Sequence, residues 1–199
     1  MNNLEVKFYD TVNDTVNDEL LKFAVIISQS NGKWVFCKHK ERDTYEVSGG
    51  HREAGENILE TAKRELQEET GAVEFDIKPI CVYSVTGKNR VNDTGEETFG
   101  LLCFAEITEF AKELHSEMEK VVFMDELPKN WTYPLIQPKL IEKYLQKKWA
   151  NGGVKKIFFR FWGTDYYLDM DADCIVSEND EKVFAKVFVS CIIILQWYF

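Results

Sequence analysis

Basic charge is scarce in this sequence: 24 Lys and Arg stand against 34 Asp and Glu, a formal net charge of −10. A nucleic-acid partner gripped along its backbone is therefore not expected, because such affinity comes from neutralising phosphates. A small anionic substrate stays compatible where a metal ion masks local carboxylates. Cysteine is sparse and unpatterned. Cys37, Cys81, Cys103, Cys174 and Cys191 are odd in number and contain no CxxC pair, which speaks against a zinc knuckle or a disulfide framework and for reduced thiols in a cytoplasmic protein. A leader is not expected either, since Glu5, Lys7 and Asp10 interrupt the first ten residues where a signal peptide needs a continuous apolar core. No run of apolar residues reaches the roughly 20 that cross a bilayer. The longest, Val187 to Phe199, is broken by Ser190 and Gln196 and reads as a buried strand, the alternative being an apolar tail that docks on a partner or a lipid surface. Internal repeats and low-complexity segments are absent.

What is present suits a globular fold: 199 residues, 45% hydrophobic and 14% aromatic, enough for one substantial core with additions. Leu21 to Ser28 and Lys33 to Lys38 flank Asn31-Gly32 as a β-hairpin, and a third strand is expected over Thr44 to Val47. Ser48-Gly49-Gly50 breaks the pattern. Ile58, Leu59, Ala62 and Leu66 then recur at helical spacing until Gly71, which predicts an amphipathic helix from about Asn57 to Thr70. Strands follow over Val73 to Thr86, Phe99 to Ile107 and Val121 to Met124, with the polar stretch Gly87 to Glu97 as a candidate substrate lid. A second helix is expected over Ile136 to Trp149. After Asn151-Gly152-Gly153, a hairpin around Gly163-Thr164-Asp165 opens a β-rich appendage, so the expected division is residues 1–150 and 151–199 of a mixed α/β fold.

Chemistry concentrates on the first helix. Glu65, Glu68 and Glu69 stand at i, i+3 and i+4, which puts three carboxylates on one helix face. Such crowding is repulsive unless a cation sits among them, and hard oxygen donors suit Mg²⁺ or Mn²⁺. Arg64 can reach back to Glu60 or to Glu56, pinning the preceding loop to the helix. Gly49 and Gly50 allow close backbone approach, and Gly71 allows a left-handed helix exit.

The stretch Gly50-His51-Arg52-Glu53-Ala54-Gly55-Glu56 through Arg64-Glu65-Leu66-Gln67-Glu68-Glu69-Thr70-Gly71-Ala72 resembles the Nudix box, GX5EX7REUXEEXGU, at all nine specified positions in 23 residues. Small Ala72 fills the final apolar place, and Ser48 stands where many relatives have proline. The resemblance spans residues 20 to 147 and implies a Nudix-type α/β/α sandwich with a mixed sheet. It implies an Mg²⁺-dependent enzyme (Mn²⁺ being an alternative) that cuts a nucleoside diphosphate linkage. Glu68 and Glu69 are the metal ligands it points to, with Glu65 a further ligand or a base and the Gly50 carbonyl an additional ligand. Glu97, Glu117 and Glu119 are candidates for the glutamate that some relatives draw from a distant loop. A MutT-like nucleoside triphosphate pyrophosphohydrolase acting on oxidised dGTP is the leading expectation. Hydrolases of ADP-ribose, dinucleotides or RNA 5′ ends are its rivals, and so is a non-catalytic nucleotide sensor.

For the substrate, Lys38 and Arg42 are candidate phosphate contacts, and Asn130, Trp131 and Tyr133 a candidate base platform. A homodimer is compatible with the sequence. Asp169, Asp171, Asp173 and Asp180 resemble a Ca²⁺ loop, but Cys174 replaces the glycine its turn needs, so a polar strand and turn are expected there. His115 reads as a surface residue.

Overall fold

A computed structural model describes residues 4–9, 17–89, 92–111, 118–151, 156–161, 164–169, 174–177 and 182–185. The elements run β1 (Glu5–Tyr9), a 3-10 turn (Asp18–Leu20), β2 (Leu21–Ser30), β3 (Lys33–His39), β4 (Tyr45–Glu46), β5 (Ser48–His51) and α1 (Ile58–Thr70). They continue with β6 (Ala72–Thr86), β7 (Thr98–Phe110), β8 (Met118–Met124), α2 (Gln137–Asn151), β9 (Lys156–Phe161), β10 (Thr164–Asp169), β11 (Cys174–Ser177) and β12 (Lys182–Ala185). The chain divides into two compact units, Met1–Ile141 and Glu142–Phe199, the division falling inside α2.

In the first unit an eight-stranded sheet runs β1-β6-β7-β2-β3-β4, with β5 joined to β2 and β8 to β3. All pairings are antiparallel except β2 with β7, so the sheet is mixed, as the sequence led us to expect. The β2–β3 hairpin closes on Asn31 and Gly32 at φ of 50° and 78°, the doubly left-handed turn whose twist matches paired strands. Pro79, which has no N–H to give the ladder, lies beside the shift in the β6–β7 register between Pro79 and Cys81. Near-continuous burial of Ala24, Ile26 and Ile27 marks β2 as an interior strand, covered on both faces.

Helix α1 packs its Ile58, Ala62 and Leu66 stripe into the core formed with Leu21, Ala24, Ile26, Val35, Val82, Leu101 and Cys103. Leu66 is fully buried, and truncating it to alanine would cost about 2–5 kcal/mol through lost transfer energy and an unfilled cavity. Glu65 and Glu69, which flank this stripe on the helix, are thereby set against Gly50 and Gly49 of β5. The second unit contains a four-stranded antiparallel sheet, β12-β11-β10-β9, in which the expected hairpin appears as β9 and β10. The expected strand at Val187 to Phe199 lies outside the described residues, as do His115, Glu117, Asp171, Asp173 and Asp180. Among the described residues no helix is long and apolar enough to cross a membrane.

Candidate active site

Local chemistry fixes both ends of α1. The Asn57 side chain accepts from Leu59 N–H at 3.1 Å and Glu60 N–H at 3.0 Å, while Glu60 accepts from Asn57 N–H at 2.8 Å, a reciprocal capping box. At the other end Gly71, at φ 71° and ψ 21°, turns the chain out while its N–H donates to the Gln67 carbonyl at 2.8 Å. The helix thus begins at Ile58, with Asn57 as cap rather than first turn.

Arg64 is the hub of the box. Its Nε donates to Glu56 Oε1 at 2.6 Å and its Nη2 to Glu56 Oε2 at 3.1 Å, a two-pronged carboxylate clamp. Nη2 also reaches the His51 carbonyl at 3.0 Å, and Nη1 reaches Glu65 Oε1 at 2.7 Å and Glu68 Oε2 at 3.1 Å. Of the two acidic partners the spacing allowed, the structure selects Glu56, because Glu60 is committed to the capping box. The guanidinium holds Glu56 down to about pKa 2, helped by the Glu53 N–H and the Thr61 hydroxyl. Reciprocally, Glu56 above all pushes the Arg64 pKa up. A second arginine, Arg52, ties the same loop to the 3-10 turn through the Glu56 carbonyl at 2.6 Å and the Asp18 carboxylate at 2.8 Å.

Glu65 is more enclosed than Glu68, its side chain 12% exposed against 57%. Burial pushes the Glu65 carboxyl above its ordinary value, and the Arg64 bond opposes that rise without cancelling it. Glu69 accepts the Gly49 N–H at 2.9 Å, which fastens β5 to α1. Gly49 is required by the backbone, since a Cβ there would stand 2.6 Å from the Ala24 carbonyl oxygen, whereas a Cβ on Gly50 would displace the Glu65 carboxylate. Backbone and carboxylate are therefore packed at atomic contact where an ion could join them. Among the described residues no three His, Cys, Asp or Glu side chains already converge as a ligand shell. Glu65 and Glu68 instead turn oxygens to Arg64. An all-oxygen donor set of Glu65, Glu68, Glu69 and the Gly50 carbonyl, with Gly50 leaving the room a side chain would fill, fits a hard divalent cation.

Gly49, Gly50, Glu65 and Glu69 line a cavity of about 370 Å³ that extends over Phe23 and Tyr83 and on to Arg42, Glu46, Tyr133 and Gln137. Glu68 is not among the residues that line it. Neither are Lys38, which pairs with Asp43 at 3.7 Å, nor Trp131, which packs edge-on against Phe36 at 5.5 Å between ring centroids, nor Asn130, whose carbonyl accepts the Tyr45 N–H at 2.8 Å. Arg42 and Tyr133 do line it. Glu97 is tied to Ser84 at 2.7 Å and Tyr9 at 3.2 Å, the serine bond foremost in lowering its pKa. Its neighbour Thr98 reaches the cavity, as do Asn89 and Asn92 of the polar loop. Sequence reasoning missed Phe23, His51, Glu46, Tyr83 and Gln137, which come from five separate elements and share no local spacing. His51 and Phe23 meet edge-on at 6.3 Å, and Phe23 and Tyr83 at 5.4 Å, which builds an aromatic wall beside the carboxylates.

The NUDIX domain model matches residues 19–143, well over half of the chain. The chain belongs to the NUDIX family. Among curated relatives it is similar to YtkD of Bacillus subtilis (strain 168), provisionally named an 8-oxo-dGTP diphosphatase, with 34% identity over 110 residues. That match covers 55% of this chain and 65% of YtkD, less than two thirds of the relative's length. Among solved structures, the Bacillus subtilis pyrophosphohydrolase BsRppH superposes with a TM-score of 0.59 at 25% identity, covering 72% of this chain and 92% of that one. A NUDIX hydrolase from Nitrosomonas europaea superposes with a TM-score of 0.52 at 20% identity, covering 64% and 90%, and supports the fold alone.

Proposed function

We propose that the chain is a divalent-metal-dependent nucleotide pyrophosphohydrolase that takes a purine nucleoside triphosphate, 8-oxo-dGTP being the leading candidate, and releases pyrophosphate. The observation that carries this reading is the union, on one cavity wall, of Gly50, Glu65 and Glu69 from an intact motif. Glu68 and Glu69, with Glu65 and the Gly50 carbonyl, are the residues that would hold Mg²⁺, and Mn²⁺ suits the same oxygens. When bound, the ion screens the diphosphate and stabilises charge building on the leaving phosphate. The chain's residues do the rest. Glu65, whose carboxyl burial pushes above its ordinary value, accepts the proton as a water oxygen bonds to phosphorus and the bridging P–O bond breaks towards pyrophosphate. Arg64 positions Glu65 and Glu68, and the Gly49 N–H positions Glu69. The similarity to YtkD supports the triphosphate reading.

The test is a hydrolysis panel of dGTP, 8-oxo-dGTP, ADP-ribose and a dinucleoside polyphosphate with and without Mg²⁺, products identified by chromatography. Nucleoside monophosphate plus pyrophosphate from the triphosphates is the expected result. Tight nucleotide binding with no cleavage would replace the enzyme by a sensor.

A further inference from the structure

The polar loop between β6 and β7 reaches the cavity through Asn89 and Asn92, and Thr98 follows at the start of β7. Its described residues form a closed turn. Gly87 N–H donates to the Gly95 carbonyl at 2.9 Å and Asn89 N–H to the Asn92 carbonyl at 2.9 Å. Asn92 spends both ends of its amide inside the turn: Nδ2 donates to the Glu96 carbonyl at 2.7 Å, and Oδ1 accepts from the Thr94 hydroxyl at 3.0 Å and the Gly95 N–H at 2.9 Å. Where the turn joins β7, successive side chains point to opposite faces of the sheet. Thr98 stands opposite Val85, and both line the cavity, as does Tyr83. Ser84 and Phe99, paired one step along, therefore belong to the reverse face. Tyr9 of β1 joins them there, paired with Val82 and meeting the Phe99 ring at 5.9 Å. On this reverse face Glu97 accepts from the Ser84 hydroxyl at 2.7 Å and the Tyr9 hydroxyl at 3.2 Å. Ser84 is buried, so its hydroxyl needs the partner that Glu97 supplies.

We propose that Glu97 and Tyr9 are positioning residues for the reaction: Glu97, held on the reverse face by Tyr9 and Ser84, fixes the strand start that presents Thr98 and the turn that presents Asn89 and Asn92 to the nucleotide. This rests on the nucleotide-hydrolase reading of the site and adds to it a role for the N-terminal strand, whose Tyr9 lies 88 residues from Glu97 in the chain. Glu97 is not among the residues that line the cavity, and its carboxylate is engaged behind the wall. That placement suits an anchor and not the distant metal ligand for which Glu97 was a candidate. A turn already held in its binding geometry loses less conformational freedom when the nucleotide arrives, so the anchor acts on affinity and leaves the chemical step to α1.

The test measures kcat and KM for dGTP, the Mg²⁺ concentration giving half-maximal rate, and by calorimetry the Kd of the α,β-imido analogue of dGTP, which resists cleavage at that bridge. Glu97→Ala is expected to raise KM and Kd by about tenfold, the scale of one hydrogen bond to a charged group, with kcat and the Mg²⁺ requirement within about twofold of wild type. Tyr9→Phe keeps the ring against Phe99 and loses only the hydroxyl, so KM and Kd are expected to rise by about threefold. Added to Glu97→Ala it is expected to change nothing further, because the hydroxyl acts through Glu97. Glu97→Gln retains an acceptor oxygen for both hydroxyls and is expected to recover most of the affinity. A fall in kcat of about a hundredfold or a raised Mg²⁺ requirement in Glu97→Gln would make Glu97 a metal ligand and overturn the proposal. Unchanged KM and Kd in Glu97→Ala, or effects of the two variants that simply add, would overturn it as well. Should wild type bind the analogue yet hydrolyse no nucleotide, the enzymatic reading fails by itself, and the Kd ratios still decide for or against the anchor.

Discussion

Gly50 and Glu65 compete for the same small volume, and only the absence of a Cβ lets the carboxylate lie against the strand. The atom a Cβ would strike is the end of a flexible side chain, so Gly50→Ala should shift Glu65 rather than unfold the protein. We expect a nearly unchanged Tm and a loss of turnover on the order of a hundredfold, the scale of a displaced catalytic group. A steady-state assay run beside a thermal melt checks this, and full activity would mean that the contact is dispensable. Glu56 gives a prediction in pH. Its carboxyl is depressed from 4.5 to about 2, chiefly by Arg64. A depressed acid contributes stability that is fully present above its unfolded value and lost as pH falls through the folded one. The destabilisation caused by Glu56→Gln should accordingly be constant from pH 7 to 5 and disappear between about pH 4.5 and 2, as read by denaturant titration. A constant difference down to pH 2 would show that the clamp is not ionic.

Helix α1 was legible because its signals are local: the cap, the apolar stripe and the glycine stop all lie within 15 residues from Asn57 to Gly71. The same holds for the β2–β3 hairpin, whose Asn-Gly turn carries its own geometry. The rest of the cavity lining was not legible, because Glu46, Tyr83 and Gln137 belong to β4, β6 and α2 and converge only once the sheet has formed. For the same reason the edge-on contact of Trp131 with Phe36 was not foreseen, since no spacing announces that neighbour. The cap yields an element-scale prediction. Asn57→Ala removes acceptors for two backbone N–H groups and should destabilise by about 1 kcal/mol, lowering Tm by roughly 2–4 °C. Calorimetry would expose the cap as redundant if Tm did not move.

Across the whole molecule the dominant fact is charge. At −10 the chain repels a polyanion, and both arginines at the site are engaged with acids, Arg64 with Glu56, Glu65 and Glu68, and Arg42 with Glu46, while Lys22 on the cavity wall donates to the Glu19 carbonyl. A free nucleotide should therefore be hydrolysed with higher kcat/KM than a 5′-triphosphorylated RNA, and the gap should narrow as salt screens the repulsion. RNA cleavage that is faster and falls steeply with added salt would point to a basic groove instead. Family membership and fold restrict the chemistry, and the substrate is set by the cavity wall.

The most direct test of the central claim is the Mg²⁺-dependent release of pyrophosphate from dGTP by wild type and Glu69→Gln, with folding followed by circular dichroism. The account predicts an unchanged spectrum and a fall in turnover of at least about a hundredfold, the scale of losing a major electrostatic contributor. Turnover near the wild-type rate in a folded Glu69→Gln protein would contradict it and move the chemistry off this helix.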